Sequence, residues 1–248
     1  MRTGSFALIL ALLASPATSS PERIQDYDTC VDLVETAPED AVRLAGEWVR
    51  YGDGGAGARH CYALALVAVG AQSQAVDELL DLAAEETELS AEARVDVLVQ
   101  AGELLLVLEE PAAAGLAATE ALRLMPNARS ALALRGAVRV DQGDLEGGVA
   151  DFNAALATGQ PVARFLIRRA AARRILGALV AARDDAVFAT EVDDKLPEAW
   201  LERGRVEARL GDKPAARMSL LEAIALDRDG ETGRQAQLAL QRMEVGVN

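Results

Sequence analysis

The sequence predicts an all-α fold, an α-solenoid of about six helix–turn–helix repeats closed by a C-terminal capping helix. Three observations lead there. Columns of small and apolar residues recur every 34 residues along the chain. Half of the residues (51%) are apolar but only 4% are aromatic, so the core is Ala, Leu and Val, which suits close helix–helix contact better than a sheet. With 8 prolines and 20 glycines in 248 residues, no stretch has the composition of a long disordered region.

The columns set the phase. Gly143, Gly177 and Gly211 stand 34 residues apart, as do Gly102, Gly136, Ala170 and Gly204. Leu98, Leu132, Leu166 and Trp200 form a third column, and Ala121, Ala155, Ala189 and Ala223 a fourth. A column of small residues (Ala41, Ala75, Ala114, Gly148, Ala182, Ala216) continues to the N-terminal side once five residues are inserted around Glu86–Ala91. The units are then 22–55, 56–94, 95–128, 129–162, 163–196 and 197–230, with a capping helix over 231–245. Small residues let two helices approach and larger ones fill the space beside them, burying a core that one unit could not build alone. The glycines of QGD and LGD fall where a first helix ends and a left-handed backbone is needed. Asp144 and Asp212, directly after, are placed to cap or turn. Gln235, Gln241 and Arg242 suit the polar face of a capping helix.

This pattern resembles the tetratricopeptide repeat (TPR) family, whose motif is W-x2-L-G-x2-Y, then A-x3-F-x2-A, then P. The last unit matches through Trp200, Gly204, Ala216 and Ala223, with Arg203, Glu207 and Leu220 at the other motif positions. The fourth unit supplies Leu132, Arg135, Gly136, Gly148, Phe152 and Ala155, and the third ends in LMPN with Pro126 at the family's proline. The Tyr column has changed to Leu66, Leu105, Arg139, Arg173 and Glu207, and the first two units rest mainly on Ala41, Ala45, Ala75 and phase.

The N-terminus has the form of an export signal: Arg2, the apolar run Phe6–Ala14, then small residues. The run is shorter than the ~20 residues that span a bilayer, so a cleaved leader over 1–19 is expected, with a cut after Ala17 as the alternative. The mature domain would be 20–248, in a periplasm or secreted, with no membrane insertion. Cys30 and Cys61, an even pair in an exported chain, are expected to form a disulfide that staples the N-terminal end. The net charge of −14 argues against nucleic acid as a partner.

Two motifs invite a chemical reading. Gly52-Asp-Gly54-Gly-Ala-Gly57 satisfies G-x-G-x-x-G, but a dinucleotide site needs a preceding strand, and Pro38–Tyr51 has the 3–4 spacing of a helix. His60 adjoins Cys61, but it is the only histidine and the chain has too few Cys and His for a zinc site. No cofactor, metal site or catalytic constellation is expected, and hence no enzyme.

What the resemblance implies is a groove lined by the first helices. Its middle would be apolar, through Val99, Leu106, Ala133, Leu134 and Ala137. Toward the C-terminus it would turn basic, through Arg164, Arg168, Arg174, Arg205 and Arg209. These arginines could grip an acidic segment by bidentate hydrogen bonds. Alternatively Glu198, Glu202, Glu207 and Asp184 neutralise them. The Lys/Asn carboxylate clamp of chaperone-binding family members is not matched. The expected function is therefore a non-catalytic scaffold or assembly factor of the cell envelope that binds a protein or peptide, as a monomer or dimer. A self-associating structural protein is the alternative.

Overall fold

The computed structural model describes residues 23–24, 26–51, 54–85, 89–157 and 159–245. The expected leader lies outside the described residues, as do Gly52 and Asp53 of the glycine motif and 86–88 of the expected insertion. The described residues form thirteen helices and no strand, and the chain divides after Val69 into two compact units.

The first unit contains α1 (Tyr27–Thr36), α2 (Pro38–Tyr51) and α3 (Gly55–Ala68). Asp26 caps α1: its carboxylate accepts from the Thr29 amide at 2.8 Å and the Thr29 hydroxyl at 2.9 Å, which holds its pKa below the ordinary value. Pro38, Glu39 and Asp40 occupy the first turn of α2, where a missing N–H costs nothing and acidic side chains meet the positive helix end. Leu33, Leu44, Ala45 and Ala65 make a core with Trp48 and Tyr62 packed against it. Cys30 and Cys61 are inside that core, fully buried, and form a disulfide with Cα atoms 6.2 Å apart that ties α1 to α3. A helix, α2, leads into the described glycines Gly54, Gly55 and Gly57, so the strand a dinucleotide site requires is not there. The neighbouring His60 accepts from or donates to the Tyr27 hydroxyl at 2.7 Å, depending on its tautomer, and stacks on that ring.

The second unit contains α4 (Gln72–Glu85), α5 (Ala91–Val107), α6 (Pro111–Leu124), α7 (Arg129–Asp141), α8 (Leu145–Leu156), α9 (Ala163–Ile175), α10 (Leu179–Val192), α11 (Pro197–Leu210), α12 (Lys213–Leu226) and α13 (Glu231–Glu244). The most extensive packing joins α5 to α6, α7 to α8, α9 to α10 and α11 to α12. The odd-numbered helices α5, α7, α9, α11 and α13 also touch in succession, so they stack as one layer. Ser90 caps α5 by accepting from the Ala93 amide at 3.1 Å, which starts that helix at Ala91 and makes it 17 residues long.

The repeat columns take physical form here. Ala114, Ala121, Ala155, Ala182, Ala189, Ala216 and Ala223 have no exposed surface. At Gly136 a Cβ would lie 3.2 Å from the Gly148 carbonyl oxygen, so α7 and α8 meet backbone to backbone. Each first helix ends in a left-handed residue: Glu109 (φ 61°), Gly143 (87°), Gly177 (79°) and Gly211 (84°). The next residue in each unit donates its amide to the carbonyl five positions back, Glu110 to Leu105, Asp144 to Arg139, Ala178 to Arg173 and Asp212 to Glu207, at 2.8–3.0 Å. That is the Schellman bond, and it satisfies a carbonyl the helix leaves open. Asp144 and Asp212 then cap the second helix, accepting from the amides of Gly147 and Ala215.

The altered Tyr column has its own logic. Asp151 of α8 accepts from Arg135 at 2.6 and 2.9 Å and from Arg139 at 2.8 Å. One repeat later, 34 residues on, the same arrangement recurs: Asp185 accepts from Arg169 at 2.6 and 2.9 Å and from Arg173 at 2.7 Å. The hydrogen bond to Asp151 raises the Arg135 pKa. In the next unit the roles are permuted: Arg203 donates to Glu207 at 2.9 Å, and Ser219, at the aspartate's position, donates to the same carboxylate at 2.7 Å. In α5–α6 the equivalent residues are Ala101, Leu105 and Ala117, all buried and apolar. Where the family carries a tyrosine, three units of this chain join their two helices through charge.

Candidate partner-binding groove

The layer of first helices carries two concavities. The first, of about 390 Å³, lies along α5, α7 and α9. Its wall includes Leu106, Ala133, Leu134, Ala137, Phe152 and Phe165, with Glu103 and Asp141 at its acidic side and Arg164 and Arg168 at its basic side. Six residues expected in the groove (Leu106, Ala133, Leu134, Ala137, Arg164, Arg168) therefore come together here, whereas Val99 is buried in α5 and does not line the cavity. Val107, 69% exposed, extends the apolar wall. Arg164 and Arg168 are exposed and, among the described residues, make no ion pair.

The second concavity, of about 410 Å³, lies along α9, α11 and α13 and gathers the other three arginines: Arg174, Arg205 and Arg209. Arg174 and Arg205 are not free. Both address Glu202, whose side chain is only 4% exposed: Arg174 donates to it at 2.6 and 3.3 Å, and Arg205 stands 3.9 Å away. Arg205 also donates to the Gln235 side-chain oxygen at 2.8 Å. Burial pushes the Glu202 pKa up, and the hydrogen bond from Arg174 opposes that. Burial also pulls the Arg205 pKa down; the Glu202 charge resists this, while the positive charges of Arg174 and Arg242 add to it. Arg209 makes no ion pair among the described residues. Of the acidic residues that could have neutralised the five arginines, only Glu202 does so. Glu207 pairs with Arg203, and Glu198 accepts from the Thr232 hydroxyl.

The capping helix contributes more to this cavity than its polar character suggests. Gln235, Leu238, Ala239, Arg242 and Met243 of α13 form one wall. Gln235 and Arg242, expected on a capping helix, stand on α13, which continues the layer of first helices; both line the cavity between it and α11, and Arg242 is also exposed. The signal available in the sequence was their spacing of seven, two helical turns.

Among the described residues no group of His, Cys, Asp and Glu could hold a metal ion, and no helix is long and apolar enough to cross a membrane.

No family model and no curated protein matches the chain. Solved structures do. A tetratricopeptide repeat protein from Parabacteroides merdae superposes with a TM-score of 0.65 at 14% identity, covering 88% of this chain and 84% of its own. Yeast Tom70 gives 0.68 at 12% identity, covering 89% of this chain and 47% of its own. Cut9–Hcn1 of the APC/C hetero-tetramer gives 0.55 at 15% identity, with coverage of 88% and 48%. This chain has the TPR fold. It spans about half the length of the Tom70 and Cut9–Hcn1 chains. The all-α solenoid expected from the 34-residue columns is therefore the architecture observed, and its TPR likeness rests on shape at identities too low to carry an activity.

Proposed function

We propose that the chain is a non-catalytic scaffold or assembly factor of the cell envelope, exported by the leader at 1–19, which holds a segment of a partner protein along its first helices. The observation that carries this reading is the cavity along α5, α7 and α9: an apolar floor about the size of two or three side chains, bordered by carboxylates on one side and by the unpaired Arg164 and Arg168 on the other. Such a surface favours a peptide with an apolar anchor and charges around it. TPR-fold neighbours support the reading by analogy, one of them being a hetero-tetramer component. The domain is proposed to be one array over 20–248, periplasmic and monomeric or dimeric in solution.

The test is affinity capture from an envelope extract with the mature chain as bait, beside the double variant Val107→Asp/Arg168→Ala. Both side chains are exposed, so the fold is kept, which circular dichroism verifies. A partner held by the wild type and lost by the variant is the expected result. Equal capture by both would remove the groove from the mechanism, and an open concentration-dependent series on size exclusion would favour self-association instead.

A further inference from the structure

The cavity along α9, α11 and α13 has a composition that the first lacks. Four guanidinium groups, Arg174, Arg205, Arg209 and Arg242, line it with a single buried carboxylate, Glu202, among them. One negative charge cannot balance four positive ones. Arg174 takes the two short hydrogen bonds to Glu202 and Arg205 is left at 3.9 Å, so the carboxylate is already spent on its nearest partner. Burial is the main cause of the lowered Arg205 pKa; Glu202 opposes it, and the nearby charges of Arg174 and Arg242 add to it. Charges that repel one another in a partly buried site are stabilised by any anion that enters it.

The surroundings are not hostile to such a site. Residues 111–248 hold 19 Lys and Arg against 19 Asp and Glu, so the net −14 of the chain is carried before residue 111. The cavity therefore stands in a part of the chain with no net charge, and its local excess is uncompensated.

We propose that this cavity is an anion subsite that takes the carboxylates of an acidic segment of the bound partner. The proposal rests on the groove reading above and names the partner's chemistry at the C-terminal end of that groove. Size and spacing favour a peptide over a small inorganic anion. The cavity holds about 410 Å³, far more than one phosphate fills, and Leu220, Leu238, Ala239 and Met243 give it apolar wall between the cations. Arg205 and Arg209 lie one turn apart on α11, about 5–6 Å between their Cβ atoms, while Arg242 approaches from α13 across a helix spacing of about 8–10 Å. Two carboxylates on neighbouring side chains, with aliphatic groups beside them, fit that distribution. Arg209 and Arg242 supply the free guanidinium forks; Arg174 and Glu202 hold Arg205 in place behind them. Gln235 is engaged at both ends of its amide: its oxygen accepts from Arg205 at 2.8 Å and its NH2 donates to Glu231 at 3.0 Å, so it holds Arg205 in place. The two cavities share α9: Arg164 and Arg168 border the first and Arg174 the second, so they are separated by about 9–15 Å along the helix axis. An extended segment of about five residues covers that distance, so one partner can occupy both.

The probe is a short fluorescein-labelled oligoglutamate, titrated by anisotropy against the mature chain at low and moderate salt, with oligolysine and inorganic phosphate as comparators. Oligoglutamate is expected to bind, to weaken with salt, and to lose affinity about tenfold in Arg209→Ala/Arg242→Ala, whose side chains have no ion-pair partner among the described residues. Arg183→Ala/Arg228→Ala, which removes two exposed arginines outside both cavities, is expected to leave the oligoglutamate affinity unchanged. Loss by an equal factor in both variants, no loss in Arg209→Ala/Arg242→Ala, or competition by phosphate as strong as by oligoglutamate would each overturn the subsite. Because these readouts do not use the apolar cavity, the subsite can fail while partner capture through Val107 and Arg168 survives, and the reverse.

Discussion

Asp185 is the side chain whose removal tests the charge-joined units most directly. Its carboxylate is 6% exposed and accepts three hydrogen bonds, two from Arg169 and one from Arg173, at 2.6–2.9 Å. The two arginine side chains are 16% and 21% exposed. In Asp185→Ala both guanidinium groups lose their counter-charge while most of their surface stays out of water. Three charge-assisted bonds at about 1.5–3 kcal/mol each set an upper bound near 9 kcal/mol. The real loss is smaller, since both arginines keep some solvent and Asn153, whose oxygen already accepts from Arg169 at 2.8 Å, stays in place. About 3–4 kcal/mol is expected, as for other buried pairs broken on one side. With a urea m-value of about 2 kcal/mol/M, the unfolding midpoint should fall by about 1.5–2 M. The companion variant Arg169→Met/Arg173→Leu/Asp185→Leu removes all three charges and should stay within about 1 kcal/mol of wild type, because no unpaired charge is left behind. A midpoint shift under about 0.3 M in Asp185→Ala would show that the carboxylate does not hold α9 to α10. A triple variant as unstable as the single one would show that packing, not charge, is what the alanine disrupts.

Three further outcomes follow from other parts of the molecule. Glu109 is a non-glycine residue in a left-handed backbone that glycine occupies in the next three units, so Glu109→Gly should raise thermal stability by about 1 kcal/mol, measured by calorimetry; a lower midpoint would refute the strain. The mature protein should show no titratable thiol in denaturant without reductant, and replacing Cys30 and Cys61 together should cost about 3–4 kcal/mol of stability in chemical denaturation, from the 31-residue separation that the bond closes. Glu202 binds its proton more tightly folded than unfolded, because burial raises its pKa. The contribution of that group to stability is therefore full below its unfolded pKa and is lost as pH rises through the folded value. Urea midpoints measured from mildly acid to neutral pH should show this decline in the wild type and a flatter profile in Glu202→Gln; parallel profiles would refute it.

Much of the architecture was legible because its causes are local and periodic. Gly143, Gly177 and Gly211 mark helix ends by their own backbone needs, and the alanine columns mark helix crossings by size. Glu109 escaped notice in the same column because a glutamate does not announce a left-handed turn; only the bond from Glu110 to Leu105 reveals it. The positions that form the central cavity came from the TPR resemblance, whose groove-lining first-helix positions fall on Leu106, Ala133, Leu134, Ala137, Arg164 and Arg168. What the phase does not contain is the identity of each charge's partner. Arg174 finds Glu202 across 28 residues, and Arg139 and Arg173 read as lost tyrosines until their aspartates, 12 residues on, are seen beside them. Arg242 was hidden for a different reason: a capping role for α13 does not say which of its side chains line a cavity with α11.

The permuted charges between paired helices also bear on how the chain avoids misassembly. A repeat protein with interchangeable units can dock a second helix on the wrong first helix, or exchange one with another molecule. Here the pairs are not interchangeable. If α10 docked on α11, Asp185 would face Glu207 instead of Arg173, two carboxylates where the native pair has opposite charges. If α12 docked on α9, Ser219 would leave Arg169 and Arg173 without a counter-ion. Against α5 and its Leu105, either would bury polar groups on an apolar wall. The α7–α8 and α9–α10 locks remain alike, so an exchange between those two pairs is the mispairing that charge does not forbid.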